Sequence, residues 1–175
     1  LKLEIEVQPL GTDFTGTPTE DTIAIPDATD PLKVTLKDYP AGSYHWRGRL
    51  SDGTNNGPWT AFNTKDDAGK TADFTVDRTA PTAALIKTLN GKNVTTKAVT
   101  STVAQPVLTG TAESGSAITV AFGETTYKTT ATAEGTWSLT ASAVLANGKY
   151  TLTITSADPA GNATASAYTL TQAAK

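Results

Sequence analysis

The chain has 175 residues with 14 Lys+Arg against 17 Asp+Glu, a net charge of −3, and is 38% hydrophobic and 18% charged. That length suits one large β domain or two small sandwiches, since hydrophobic cores form in units of roughly 100 residues. With no cysteine it excludes a disulfide framework, a thiolate metal site and a thiol nucleophile, and no apolar run is long enough to cross a membrane. Residues 1–78 carry 8 Lys+Arg against 13 Asp+Glu and residues 79–175 carry 6 against 4. Neither half shows the clustered Lys/Arg and stacking aromatics of a nucleic-acid surface, so DNA and RNA are not expected partners. There is no methionine either, which implies that Leu1 follows a cleaved segment or a cut in a longer product.

Thr fills about one position in five, and β-branched residues favour strands over helices. At the start, Leu1, Leu3, Ile5 and Val7 alternate with Lys2, Glu4, Glu6 and Gln8, the pattern of a half-buried strand. Further strands are predicted over 21–25, 32–37, 43–50, 58–63 and 71–76, separated by Gly, Pro, Asn and Asp clusters that punctuate turns. The second half gives strands over 82–87, 106–111, 117–122, 125–132, 135–140, 149–156 and 163–171. Short strands with turn signals every 8 to 12 residues predict an all-β protein of two tandem immunoglobulin-like β-sandwiches. The boundary falls at Val76-Asp77-Arg78-Thr79-Ala80-Pro81, giving modules 1–77 and 78–175, with Pro81 stiffening the join.

An internal repeat supports that division. Gly42-Ser-Tyr44, a strand and Asp52 recur as Gly148-Lys-Tyr150, a strand and Asp158, offset by 106 residues, and Tyr39 corresponds in the same way to Leu145. An apolar residue followed by Gly-x-Tyr and an alternating strand resembles the tyrosine corner of sandwich domains, in which the phenol ties back to nearby backbone, with Tyr44 and Tyr150 as the tyrosines. Gly42-Ser-Tyr-His-Trp-Arg-Gly-Arg-Leu-Ser-Asp-Gly, followed by Pro58-Trp59, resembles the sixth strand and following loop of fibronectin type III domains. The stretches from Pro106, Gly135 and Tyr150, ending in Asp158-Pro-Ala-Gly-Asn162, are similar to the bacterial Ig-like repeats of large surface adhesins. The first resemblance makes Leu1–Val7 a third strand, so the first two strands of that module are missing. An uncovered apolar sheet edge is then expected to take a partner strand from another segment or subunit, unless residues 66–73 supply the strand.

Enzyme chemistry finds little support in these residues. His45, the single histidine, is expected on the outer sheet face with Arg47 and Arg49, exposed and inert, while Tyr44, Trp46 and Leu50 face the core. One histidine without a nucleophile-elbow pattern builds no triad, and one histidine without cysteine serves zinc poorly. The pairs Glu4/Glu6, Glu20/Asp21 and Asp66/Asp67 are expected to be solvated surface charge, with no cleft to set two carboxyls facing each other.

Calcium is the one ion the loops could serve, since hard cations take Asp, Asn and carbonyl oxygens. Asp158 and Asn162 are expected beside the linker residue Asp77, where the adhesin-repeat resemblance implies a structural calcium. Asp52 and Asn55 form a weaker counterpart. The alternative is that these are ordinary turn residues bonding their own backbone, with Arg78 neutralising Asp77. Trp46 and Trp137 read as core and Trp59 as a partly exposed contact for a glycan. These readings converge on a non-catalytic spacer segment of a bacterial extracellular or cell-surface, adhesin-like protein that joins flanking domains. The alternative is a binding module for a protein, by strand addition, or for a glycan.

Overall fold

Alternating β-branched and apolar residues give each strand one face to bury, and strand is the regular structure throughout the described residues of this chain. A computed structural model describes residues 1–20, 23–24, 34–62 and 71–174. Asp21, Asp66 and Asp67 lie outside them. The chain divides into two units, Leu1–Arg78 and Thr79–Lys175.

The first unit is built on β1 (Lys2–Pro9) and β3 (Gly42–Ser51), antiparallel along their length from Lys2↔Ser51 to Pro9↔Tyr44. β2 (Ile23–Ala24) adds to β1, while β4 (Thr60–Ala61) and β5 (Phe74–Val76) share the far side of β3. One face of this sheet carries Leu3, Ile5, Val7, Tyr44, Trp46 and Leu50. Ile5, Val7 and Tyr44 are buried, with Val34, Tyr39, Phe74 and Val76 packed against them. The strand expected over 32–37 does not form across its described part, Val34–Lys37. There the Lys37 N–H donates at 2.8 Å to the Glu20 carboxylate instead of to a neighbouring strand.

β1 pairs with β3 along one edge and with β2 at the start of the other. Past Leu3, that edge is occupied by Thr19 and Glu20, whose N–H groups both donate to the Ile5 carbonyl, and by the Thr19 hydroxyl, which accepts from Val7 N.

In the second unit β6 (Leu85–Leu89), β7 (Lys92–Asn93), β9 (Val107–Thr111) and β12 (Thr136–Thr140) form a sheet of order β12-β9-β6-β7. Facing it is a sheet of order β11-β10-β13-β14-β8, made by β8 (Ala98–Ser101), β10 (Ala117–Phe122), β11 (Thr125–Thr130), β13 (Gly148–Ala157) and β14 (Ala163–Gln172). Sequence reading missed β7 and β8. β8 pairs in parallel with β14, through Thr169↔Ala98 to Gln172↔Ser101, so no hairpin turn marks it, and of its four side chains only Ser101 is buried.

Leu108, Ile118, Val120, Leu152, Ile154 and Leu170 fill the space between the two sheets and are fully buried. Trp137, expected in the core, is buried there. Its ring packs against Gly110, where an added Cβ would stand 2.1 Å from the Leu85 carbonyl oxygen and 2.4 Å from the indole. Gly48 on β3 is different, with no atom nearer than 3.6 Å to such a carbon. Gly110→Ala is therefore expected to destabilise the second unit by about 3 kcal/mol or more, the upper range for an overpacked core. Gly48→Ala should stay within about 1 kcal/mol of the parent. Denaturant titrations of both variants, followed by Trp fluorescence, test the contrast.

Candidate functional site

The same alternation that buries Tyr44 sends His45, Arg47 and Arg49 to the opposite face of β3, across from Gln8, Glu6 and Glu4 on β1. An outer face of this kind is normally solvated, and the sequence reading placed His45 and Glu6 in water. The structure corrects both: Glu6 is 0% and His45 5% exposed. The cause is segment 12–16, which folds back over the sheet.

Glu6 fastens that segment. Its carboxylate accepts from Thr15 N at 2.5 Å, Thr15 Oγ1 at 2.9 Å and Gly16 N at 3.1 Å, and from the Arg47 guanidinium at 3.0 and 2.8 Å. Gly16 donates from φ 87°, a conformation open to glycine and costly for other residues. His45 Nε2 donates to the Thr12 carbonyl at 2.9 Å, and its ring packs on Phe14 with centroids 4.2 Å apart. The signal for this arrangement was a lone aromatic, Phe14, in an otherwise polar Thr-Asp-Phe-Thr-Gly turn.

Trp59 joins the same face. The Arg47 and Arg49 guanidinium carbons lie 4.7 and 4.4 Å from its ring centroid, and Arg47 also lies 4.4 Å from the Phe14 ring. Such cation–π contacts contribute about 0.5–2 kcal/mol each. Arg49 pairs with Glu4 at 2.7 Å. Trp59 is thus half-buried packing over two arginines. Trp46, read as core, is half-buried on the inner face and stacks on Phe62 at 5.0 Å; Phe62 is 64% exposed. Glu20, expected on the surface, is 6% exposed and accepts from the Tyr39 hydroxyl. Burial, joined by that carboxylate, pushes the Tyr39 phenol up to about 12.

The two repeat tyrosines make the same bond. Tyr44 donates its hydroxyl to the Pro40 carbonyl and Tyr150 donates to the Ala146 carbonyl, each at 2.9 Å and each four residues back. Asp52 and Asp158 also sit in matching loops. Asp52 accepts from Thr54 N at 2.8 Å, Asn55 N at 2.6 Å and Asn55 Nδ2 at 3.1 Å. Asp158 accepts from Asn162 N and Asn162 Nδ2, both at 2.9 Å. Backbone and side-chain donors of Asn55 and Thr54 hold the Asp52 carboxyl down at about 2, and the Asn162 side chain, with nearby backbone, lowers that of Asp158.

Arg78, considered as a partner for Asp77, pairs with Asp38 and donates to the Tyr39 carbonyl at 3.1 Å. Pro81 is buried within the second unit. Among the described residues no group of three or more His, Asp or Glu gathers as a metal site, and no helix is long and apolar enough to cross a membrane.

Two facing sheets, a tyrosine tied to backbone and an Asp-closed loop at the strand end define the second unit as an immunoglobulin-like sandwich. Residues 79–172 match the family model of the bacterial Ig-like domain, and the chain belongs to that family. Its members are typical of bacterial surface proteins and are generally non-catalytic binding or structural modules. A search of curated proteins returns no match.

Glu6 supplies a test of the first unit. Burial pushes its carboxyl up, but Thr15 N–H, Arg47, Gln8 and the Thr15 hydroxyl outweigh that and bring it from 4.5 down to about 2. A folded-state value below the unfolded one stabilises the fold above pH 4.5, and that stability is lost as pH falls through about 2. The difference corresponds to something on the order of 3 kcal/mol. Glu6→Gln should remove about 2–4 kcal/mol at neutral pH by leaving Arg47 without its charge partner. It should also flatten the acid dependence of first-unit unfolding between pH 5 and 2; an unchanged acid profile would count against this role.

Proposed function

We propose that the chain is a non-catalytic spacer of a bacterial surface protein, holding neighbouring domains apart. The observation that carries this reading is where the second unit's chain enters and leaves. On entry, Thr82 O accepts from Ser156 Oγ at 3.0 Å, beside the far end of β13. On exit, Ala174 exchanges hydrogen bonds of 2.8 and 3.1 Å with the Asn147 side chain, at the opposite end of β13. Those points, Ser156 and Asn147, are nine residues apart along β13, roughly 30 Å at about 3.3 Å per residue. A module whose two ends leave from opposite poles adds its length to whatever it joins. Backbone hydrogen bonds kept inside the sheets support the same role, and so does membership in a family typical of surface proteins.

The glycan reading has less behind it, because the Trp59 ring packs over Arg47 and Arg49. At the Asp158 loop the geometry supports turn closure, since both carboxylate oxygens already accept from Asn162. Calcium at Asp77, Asp158 and Asn162 would have to compete with those bonds.

Replacing residues 79–172 by an unrelated sandwich of similar length should preserve the parent protein's surface activity, whereas deleting them should shorten its reach. Loss of activity in the replacement would show that this module itself binds, and would overturn the spacer reading. For the loop, melts in excess calcium and in excess chelator should coincide, with Asp158→Ala lowering both by a few degrees. A rise of several degrees in calcium that Asp158→Ala abolishes would instead mark an ion site, because a ligand of the folded state stabilises by mass action.

A further inference from the structure

The two units share one pattern of paired strands but not one degree of closure. β3 and β13 are ten residues each and stand 106 residues apart. Their partners keep register: Val7↔Trp46 and Ile5↔Gly48 in the first unit occupy the places of Phe122↔Leu152 and Val120↔Ile154 in the second. In the second unit this inner face is roofed by β6, β9 and β12, and Phe122, Leu152, Val120 and Ile154 are all buried.

In the first unit the segment Val34–Tyr39 lies between β2 and β3 in chain order, as β12 lies between β11 and β13. It covers the end of the face around Val7, Tyr44 and Phe74. Nothing among the described residues corresponds to β6 and β9. The other end of the face is left as a groove of about 580 Å³ whose walls include Leu3, Trp46, Gly48, Leu50 and Phe62. Leu50 is 47% and Phe62 64% exposed there. Gly48 stands where the second unit has Ile154, and a glycine inside a strand marks a place where another backbone comes close.

We propose that this groove is the docking surface for two antiparallel strands carried on the same polypeptide ahead of Leu1. Those strands would be patterned like β6 and β9, with alternate apolar side chains turned onto Leu3, Trp46, Leu50 and Phe62 and a backbone passing over Gly48. The chain order of the second unit selects this occupant, since β6 and β9 precede β10 as such a pair would precede β1. The docked pair extends the layer that Val34–Tyr39 begins and closes the sheet into a sandwich at the usual spacing of about 10 Å. This inference is independent of the spacer reading, which concerns the second unit.

The test compares the complete translated polypeptide with the 1–175 chain, each carrying Leu50→Cys, and exploits the absence of any native cysteine. A maleimide should label Cys at position 50 at least tenfold more slowly in the complete polypeptide. Val144→Cys, at a site 71% exposed in the second unit, should label at the same rate in both. A benzoyl-phenylalanine photocrosslinker at position 62 should form an intramolecular link to a segment ahead of Leu1. Equal labelling at position 50, or a crosslink only to a second copy or another protein, would overturn the proposal. The replacement experiment on residues 79–172 is unaffected by either result.

Discussion

A β-sheet with one apolar face needs a second layer over that face, and both units are organised by how they meet this requirement. The second unit meets it internally. Sixteen hydrophobic residues are buried between its two sheets, against three beneath the partial cover of the first unit, counting described residues only. At roughly 25 cal/mol per Å² of apolar surface removed from water, the second unit draws the larger hydrophobic contribution among the described residues. Packing also sets which positions tolerate change. Gly110 is locked under an indole and against a carbonyl, while Gly48 has room above it.

The first unit draws part of its order from the other face of its sheet. There a buried carboxylate replaces an apolar core as the organising element. Burying Glu6 would cost several kcal/mol if it were unpaired. Two backbone N–H groups, a hydroxyl and a guanidinium surround it, and together they outweigh the desolvation and hold its carboxyl well below the usual carboxylate range. Because those donors come from residues 15, 16 and 47, the same carboxylate fixes the returning segment onto the sheet. Phe14 packs there on His45 and Arg47, and the segment's continuation at Thr19 and Glu20 caps the edge of β1. One buried charge thus specifies a face, a turn and an edge together.

The sequence made the period-two architecture legible and left the long-range polar contacts hidden. β10, predicted over 117–122, has those bounds in the structure, and the Gly-x-Tyr pairs pointed to two tyrosines whose hydroxyls do tie to backbone four residues back. Alternation also placed His45, Arg47 and Glu6 on the correct face. It could not say that the face is covered, because the cover is a polar segment without periodicity, held by side-chain bonds spanning 9 to 41 residues. β8 escaped for a related reason, since its parallel partner lies some 70 residues away and contributes no local turn signal. Trp59 looked like a platform because its neighbours are Pro58 and a polar loop; its actual neighbours, Arg47 and Arg49, are set by the pairing of β3 with β4.

In the spacer role proposed above, the matching loops after β3 and β13 would bear on how load is carried. Each places an aspartate immediately after a long strand and closes the turn on an asparagine three or four residues on, so the strand end is held by its own side chains. A strand pinned at one end by that loop and near its start by a tyrosine hydroxyl resists fraying at both poles, where pulling on the chain ends would first act. In the second unit Ser156 and Ser166 then bond the incoming carbonyls of Thr82 and Ala84, while Asn147 clamps Ala174 on the way out. Tension applied at those ends therefore loads polar bonds arranged around the continuous hydrogen-bonded pair β13–β14, ten residues in register on each side. In the spacer role proposed above, bonds of this kind would carry load without a catalytic group or a ligand.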